Sequence, residues 1–193
     1  MKYYVAKEDV VKYPLIQFSG NIYIVDTLKE VIRCCEIISE SDVVGFDTET
    51  KPSFKKGIFY DISLIQFSVK NDVFLFRINK TGLHPKIIDI LVSPNITKVG
   101  IDLNNDLSGL KKIQYFEPLN FIDLNAVALK NGFKSIGAVK LSILLLGHRI
   151  SKKQRISDWS ADKLSDSQIK YAAIDAWICP QILDVFRRKS FKV

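Results

Sequence analysis

The sequence has few cysteines and no long hydrophobic run. None of its apolar stretches approaches the roughly 20 residues that a membrane-spanning helix needs, which argues against such a helix. Its first nine residues lack the apolar core of a signal peptide. The three cysteines, Cys34, Cys35 and Cys179, are odd in number and have no C-x-x-C spacing, which disfavours a disulfide framework or a zinc site. We therefore expect a cytoplasmic protein with reduced thiols and no membrane partner.

The chain also lacks internal repeats, low-complexity segments and an evident linker. Its 193 residues, 47% of them hydrophobic and 25% charged, suit one globular domain spanning residues 1–193. The formal net charge of +7 favours a polyanionic partner, with nucleic acid the first candidate. The alternative is an ordinary globular protein with surplus surface lysine.

Residues that favour strands are concentrated in the first half of the chain. The apolar and β-branched residues of 15–25 predict one or two short strands after an irregular lead-in. Residues 43–50, 62–69 and 73–78 predict three strands, which we expect to form an antiparallel meander. A further strand is expected over 96–101, after which helices become more frequent. This order predicts an α/β fold with a mixed sheet.

Helix boundaries carry recognisable capping residues. Thr27 is expected to cap a helix that runs to about residue 39, and Asp123 to cap a helix over residues 124–130. A helix after Gly137 is apolar nearly all round, so it is expected to be buried and to stop at Gly147. Ser165 is expected to cap a long final helix, which we expect to break near Pro180.

The stretch Val-Val-Gly-Phe-Asp-Thr-Glu-Thr, residues 43–50, is the most informative part of the chain. Its apolar residues predict a buried strand that ends in two carboxylates, Asp47 and Glu49. Side chains alternate between the faces of a strand, so these two carboxylates share a face. Two like charges in a partly buried place are costly unless a partner offsets them. Hard divalent cations prefer carboxylate oxygen, which predicts half of a metal site here.

Carboxylates from distant segments are needed to complete such a site. Asp106 follows a predicted strand at the start of a helix, and Asp175 lies on the final helix four residues after Tyr171, on the same helix face. Each has a simpler structural interpretation. Asp106 is also suited to capping its helix, and Tyr171 to packing in the core. Asp102 is a nearby acid that we rank below Asp106.

These motifs, taken together, resemble the DEDDy group of 3′–5′ exonucleases, the family of ribonuclease D and the Werner helicase exonuclease domain. Asp47-Thr48-Glu49 is similar to the D-x-E motif of that family. The segment from Gly100 to Asp106, in which Asp106 opens a helix, is similar to its second motif. Tyr171 and Asp175 are similar to its Y-x-x-x-D motif. The resemblance covers about residues 15–186. It implies an RNase H-like fold, in which a mixed central sheet is flanked by helices.

The resemblance also implies a set of ligands and roles. Two divalent cations, Mg²⁺ or Mn²⁺, would be held by Asp47, Glu49, Asp106 and Asp175, with Asp47 bridging both. Tyr171 would orient the attacking water rather than act as a strong base, because a free tyrosine has a pKa near 10. The catalytic set is therefore the four acids and Tyr171.

Contacts with the substrate are less sharply indicated. Lys152 and Arg155 belong to a basic cluster that is expected to touch backbone phosphates, although such a run is usually a solvated surface. Thr48 is a candidate for contact with the terminal nucleotide, and the lysine-containing loop 51–56 for the rim of the channel. Trp159 is interpreted as a packing residue.

The sequence thus predicts a metal-dependent enzyme that removes nucleotides from the 3′ end of nucleic acid. DNA is slightly favoured over RNA, because the segment Phe18-Ser19-Gly20 resembles the Werner-type domain. The alternative is a nuclease-like module that binds nucleic acid or a protein partner without cutting.

Overall fold

The central feature of the fold is a six-stranded mixed sheet. The computed structural model describes residues 3–193. Its strands are β1 (Asn21–Val25), β2 (Val43–Thr50), β3 (Ile62–Val69), β4 (Asp72–Phe76), β5 (Thr97–Gly100) and β6 (Phe121–Asp123). They lie in the order β1-β4-β3-β2-β5-β6. The predicted α/β class with a mixed sheet is confirmed.

The position of β2 decides where the site can form. It pairs antiparallel with β3 on one side and parallel with β5 on the other, so its carboxyl end lies in the middle of the sheet. The predicted antiparallel meander of β2, β3 and β4 is confirmed. β1 joins the edge by pairing parallel with β4, an arrangement that the sequence did not indicate.

Helices cover both faces of the sheet. They are α1 (Leu28–Ser39), α2 (Ile78–Thr81), α3 (Pro85–Leu91), α4 (Leu103–Ile113), α5 (Leu124–Lys130), α6 (Ala138–Leu146) and α7 (Asp166–Arg188). On one face α1, α3 and α4 pack around Phe46 and Phe67. On the other, α5, α6 and α7 form the core. No helix within residues 3–193 combines the length and the apolar composition needed to cross a bilayer.

The predicted helix caps are present. The Thr27 side chain accepts a hydrogen bond from the backbone N–H of Glu30 at 3.4 Å. Ser165 and Gln168 form a complete capping box at the start of α7. Gly147 ends α6 in the left-handed conformation, with φ of 76°. These contacts are local, which is why residue type and spacing predicted them.

The predicted break of the final helix near Pro180 is wrong, because α7 runs without interruption to Arg188. A proline inside a helix has no N–H to donate to the carbonyl four residues earlier, which here belongs to Ala176. The hydroxyl of Ser68 on β3 donates to that carbonyl at 3.0 Å. A tertiary contact therefore replaces the hydrogen bond that the proline removes.

The expectation that α6 is buried is only partly correct. Val139, Leu141 and Ile143 are buried, whereas the leucines of 144–146 are half-buried. The helix packs against α7, in a layer outside the sheet. A helix in an outer layer keeps one side toward solvent, so an apolar sequence does not by itself ensure full burial.

Candidate active site

Two carboxylates of the site come from the end of β2. Asp47 is paired with Gln66 and Glu49 with Leu64 across the β2–β3 ladder. Immediately afterwards the register shifts, because Thr50 pairs with Ile62. Such a bulge bends the strand and redirects its last side chains, and bulges are frequent beside active sites. Asp47 and Glu49 lie on the face of the sheet that α7 covers, as the alternation predicted.

The third carboxylate comes from α7. Ala172 and Ala173 are fully buried, so the helix packs closely against the sheet at this level. Asp175, on the same helix, is also buried, with only 9% of its surface exposed. One carboxylate oxygen from each of Asp47, Glu49 and Asp175 lies within 4.8 Å of the others. Residues more than 120 positions apart in the chain are thus brought to one point.

Burial and mutual repulsion disturb the protonation of this group. Burial raises the pKa of Asp47 well above its usual value, and the charges of Asp106, Asp175 and Glu49 raise it further. Burial is also the main cause of the raised pKa values of Glu49 and Asp175. The arrangement is unfavourable for three carboxylates alone and favourable for carboxylates that share a cation.

Asp106 approaches the cluster from the other face of the sheet. It is not part of the 4.8 Å group, but its charge is the main electrostatic contribution to the raised pKa of Asp47 after burial. The hydroxyl of Thr48, which points away from Asp47 and Glu49, donates to the Asp106 carboxylate. Thr48, predicted to touch the terminal nucleotide, is therefore a side-chain partner of Asp106. Its contact with nucleic acid stays a prediction.

A capping residue holds α4, and with it Asp106, in place. The Asp123 carboxylate accepts hydrogen bonds from the backbone N–H groups of Asp102 and Leu103 at 3.2 and 3.1 Å, at the start of α4. It also accepts from Asn125 at the start of α5, at 2.8 Å. The sequence predicted only the second of these caps. Asp102, ranked below Asp106 as a ligand, is exposed, with φ of 65°.

Tyr171 lies one helical turn before Asp175, and hydrogen bonding from its hydroxyl lowers the pKa of Asp175, against the larger effect of burial. Burial and the neighbouring charge of Asp175 raise the pKa of Tyr171, so its hydroxyl stays protonated at neutral pH. A protonated phenol donates a hydrogen bond and is not a base. The ring of Trp159 packs against it with centroids 5.9 Å apart. Trp159 is fully buried, which confirms its interpretation as a packing residue.

A cavity of about 340 Å³ opens beside the acids. Its wall includes Asp47, Glu49, Tyr171 and Asp175, together with the predicted phosphate contacts Lys152 and Arg155. Both basic side chains are exposed. The charge of Arg155 lowers the pKa of Glu49, which opposes the effect of burial. An acidic floor and a basic wall therefore meet in one cavity.

Sequence reasoning missed Gln66. Its side chain is fully buried directly across from Asp47, and neither amide atom has a hydrogen-bond partner within residues 3–193. An unpartnered buried amide typically costs about 1–3 kcal/mol. The only sequence indication was a polar residue within the apolar stretch of residues 62–67, which the expected alternation of a strand made unremarkable.

The donor set fits a divalent cation. Carboxylate oxygens are the ligands that Mg²⁺ and Mn²⁺ prefer. Three such oxygens already lie close together from two elements. Burial raises the pKa of all three groups, and mutual repulsion raises those of Asp47 and Glu49 further, which is a cost that a cation would relieve. Asp47, Glu49 and Asp175 are therefore the residues that could hold a cation, with Asp106 beside them.

Comparison with known proteins defines the class and then the family. The fold resembles the crystal structure of the Aedes aegypti Nibbler EXO domain, with a TM-score of 0.78 and 21% identity over 88% of each chain. This confirms the RNase H-like exonuclease fold. The model of the 3′–5′ exonuclease family matches residues 22–190. The chain therefore belongs to the 3′–5′ exonuclease family, as its motifs predicted.

Curated relatives are longer than this chain. It is 30% identical over 160 residues to ribonuclease D of Acidiphilium cryptum, which covers 81% of the chain and 40% of that protein. It is 29% identical over 175 residues to the bifunctional 3′–5′ exonuclease/ATP-dependent helicase WRN of Mus musculus, covering 85% of the chain and 12% of that protein. The chain thus spans less than half the length of these two relatives.

Proposed function

We propose that this protein is a metal-dependent 3′–5′ exonuclease that hydrolyses phosphodiester bonds from the 3′ end of nucleic acid. The observation that carries the proposal is the meeting of Asp47, Glu49 and Asp175 within 4.8 Å, in a chain of the 3′–5′ exonuclease family. The basic side chains of Lys152 and Arg155 at the same cavity suit a phosphate backbone.

The four acids would hold the cations. Asp47, Glu49 and Asp175 form the primary site, and Asp106, held by Thr48, adds a further carboxylate from the opposite face. When bound, a pair of Mg²⁺ or Mn²⁺ ions supplies water activation and stabilisation of the leaving oxygen. Asp47 is close enough to both Asp106 and Asp175 that, after burial, the charge of each raises its pKa. This position suits the bridging role that the family resemblance implies.

Tyr171 has the role of a positioning donor. Its hydroxyl stays protonated, and with substrate bound its single proton would be donated to the attacking water or to a phosphate oxygen in place of Asp175. Fixing the attacking group in line with the phosphorus lowers the entropy cost of the reaction. The exposed Lys152 and Arg155 would neutralise phosphates of the bound strand.

The preferred substrate is proposed to be DNA, with RNA as the direct comparison. The DNA preference rests on the resemblance of the N-terminal segment to the Werner-type domain, whereas ribonuclease D is named among the relatives. Discrimination depends on contacts to the 2′-hydroxyl. DNA and RNA strands of one sequence, compared by kcat/KM, decide between them.

A degradation assay tests the proposal. A 5′-labelled strand is incubated with and without Mg²⁺ or Mn²⁺, using wild type, Asp47→Ala and the matched control Asp42→Ala. Asp42 is an exposed carboxylate just before β2. We expect a ladder that shortens from the 3′ end, requires the cation, persists in Asp42→Ala and is absent in Asp47→Ala. Binding without shortening in every condition would contradict the enzyme and favour the non-cutting module.

A further inference from the structure

The loop between β2 and β3, residues 51–61, exposes aromatic side chains to solvent. Phe59 and Phe54 are 89% and 83% exposed, the highest values for large hydrophobic side chains within residues 3–193. Tyr60 is 45% exposed. Burying a phenylalanine typically stabilises a protein by a few kcal/mol, so the folded chain forgoes that stabilisation twice in one short segment. Exposed aromatic groups concentrated in this way indicate a binding surface.

The loop has a defined shape although it has no regular secondary structure. The Ser53 hydroxyl donates to the carbonyl of Lys55 at 3.0 Å, and the N–H of Ile58 donates to the same carbonyl at 3.2 Å. At its base, Lys51 forms an ion pair with Asp158 at 2.8 Å. The Lys51 ammonium also lies 5.6 Å from the centroid of the Tyr60 ring. The aromatic groups are thus presented from an anchored loop.

Two neighbouring grooves with shared wall residues extend from the acids to this loop. Phe59 and Tyr60 line a groove that also includes Thr48, Glu49 and Asp106. Tyr60 is shared with a second groove, which continues to Phe54. The path therefore leads from the carboxylate cluster, past Phe59, to Phe54.

The charge along this path suits a polyanion. Lys55 lines the outer groove and Lys112 of α4 lines the inner one. Lys56 lies at the loop tip, where it is exposed. Aromatic faces interleaved with cationic groups are the arrangement by which proteins bind single-stranded nucleic acid, since unpaired bases stack on the rings while the backbone meets the lysines. In a duplex the base faces are covered by neighbouring base pairs.

We propose that the loop 51–61 is a binding arm for single-stranded nucleic acid. Bases upstream of the 3′-terminal nucleotide stack on Phe59 and Phe54, and their phosphates face Lys55, Lys56 and Lys112. The inference rests on the proposed function for the direction of the strand, because the acids define where its 3′ end lies. It predicts that the substrate is a single strand or a 3′ overhang, not a blunt duplex.

Binding without hydrolysis tests the arm. A 5′-fluorescein-labelled single strand and a blunt duplex of the same sequence are titrated in EDTA by fluorescence anisotropy. We expect Phe54→Ala/Phe59→Ala to bind the single strand at least about tenfold more weakly, and the duplex with little change, since each base–ring stack is typically equivalent to roughly a tenfold or larger change in Kd. Phe59→Trp should retain binding. Tyr4→Ala, an exposed aromatic outside the loop, is the matched control.

Two results would contradict the proposal that loop 51–61 is a binding arm. One is equal single-strand affinity of wild type and the double variant. The other is an equal loss on both substrates. Size-exclusion chromatography with light scattering is run on the same samples. Self-association of wild type that the double variant abolishes, with unchanged strand affinity, would assign the loop to contact between copies of the chain and would likewise overturn the proposal.

The binding assay and the degradation assay test the binding arm and the exonuclease activity separately. Strand binding through the loop with no shortening in any cation would reject the exonuclease while the arm stands. Cation-dependent shortening with the same KM for wild type and Phe54→Ala/Phe59→Ala would reject the arm while the exonuclease stands. Both side chains are almost fully exposed, so their replacement should leave the thermal midpoint unchanged.

Discussion

At the scale of single residues, burial controls the protonation of the acids and of Tyr171 in the site. Burial raises the pKa values of Asp47 and Asp175, and that of Tyr171 rises further beside the Asp175 charge. Bringing these carboxylates together without a cation is unfavourable, and a shared cation would relieve that cost. The phenol remains a donor, so its contribution is the placement of a hydrogen bond.

The Tyr171→Phe substitution separates placement from metal binding. Removing one hydroxyl leaves the ring against Trp159 and the carboxylates in place, so we expect cation binding to persist. Loss of the positioned donor should lower kcat about 10²-fold with a small change in KM. Single-turnover degradation at saturating Mn²⁺ measures the rate.

Tyr23→Phe is the matched control. Tyr23 of β1 is a half-buried tyrosine that stacks on Phe74 of β4, away from the acids. It should behave as wild type. Full activity of Tyr171→Phe would remove the positioning role. Loss of cation binding together with activity would show that the hydroxyl instead maintains the ligand geometry.

At the scale of elements, the seating of α7 on the sheet creates the site. At Gly45 of β2 the helix lies so close that an added Cβ would clash with the Ala176 carbonyl oxygen. That is the same carbonyl that lacks its helix partner because of Pro180, and it accepts from Ser68 instead. Asp175 directly precedes Ala176, so this junction sets the depth at which the Asp175 carboxylate lies.

A double-mutant cycle tests the junction. Ser68→Ala should lower the free energy of unfolding by about 1–2 kcal/mol, because it leaves the buried Ala176 carbonyl without a donor. In a Pro180→Ala background the restored N–H of residue 180 supplies that donor, so Ser68→Ala should cost clearly less. Urea denaturation of the four proteins gives the coupling energy. Equal costs in both backgrounds would show that the hydroxyl does not substitute for the missing helix bond.

At the scale of the whole molecule, the acidic cluster should oppose folding and a bound cation should favour it. Four carboxylates converge at the centre of a chain whose net charge is +7, so the balance of charge at the surface is even more positive. A basic surface would attract the phosphates of a nucleic-acid strand, and the acidic centre would attract cations. Stability and activity should therefore depend on the same ions.

Thermal stability should rise when cations are added. At a free Mn²⁺ concentration of about 100 times Kd, mass action adds about 2.7 kcal/mol. For a chain of this size that corresponds to a rise of roughly 5–10 °C in Tm. Thermal melts in EDTA and in Mn²⁺ measure the difference.

The Asp47→Asn substitution supplies the contrast. Asparagine is neutral, so it avoids the cost of protonating or burying the Asp47 carboxylate at neutral pH. In EDTA the variant should therefore melt above wild type, while its response to Mn²⁺ should be much smaller. Equal Mn²⁺-induced shifts in both proteins would place the stabilising cation elsewhere. An unchanged wild-type Tm would argue that these carboxylates do not hold a cation.

The sequence by itself determined the features that arise from near neighbours in the chain. The spacing of Asp47 and Glu49 on one strand face, and of Tyr171 and Asp175 on one helix face, follows from backbone geometry alone. The caps at Thr27, Ser165 and Asp123 and the strand order of the meander have similarly local causes. Together these motifs were sufficient to identify the family.

Only the tertiary structure decided the contacts between distant segments. It placed Thr48 against Asp106, gave Asp123 a second helix to cap and buried Gln66 across from Asp47. It also allowed α7 to continue past Pro180, because the Ser68 hydroxyl of β3 donates to the carbonyl that the proline leaves without a partner. These outcomes depend on which groups packing brings within hydrogen-bond distance, and residue spacing along the chain does not contain that information.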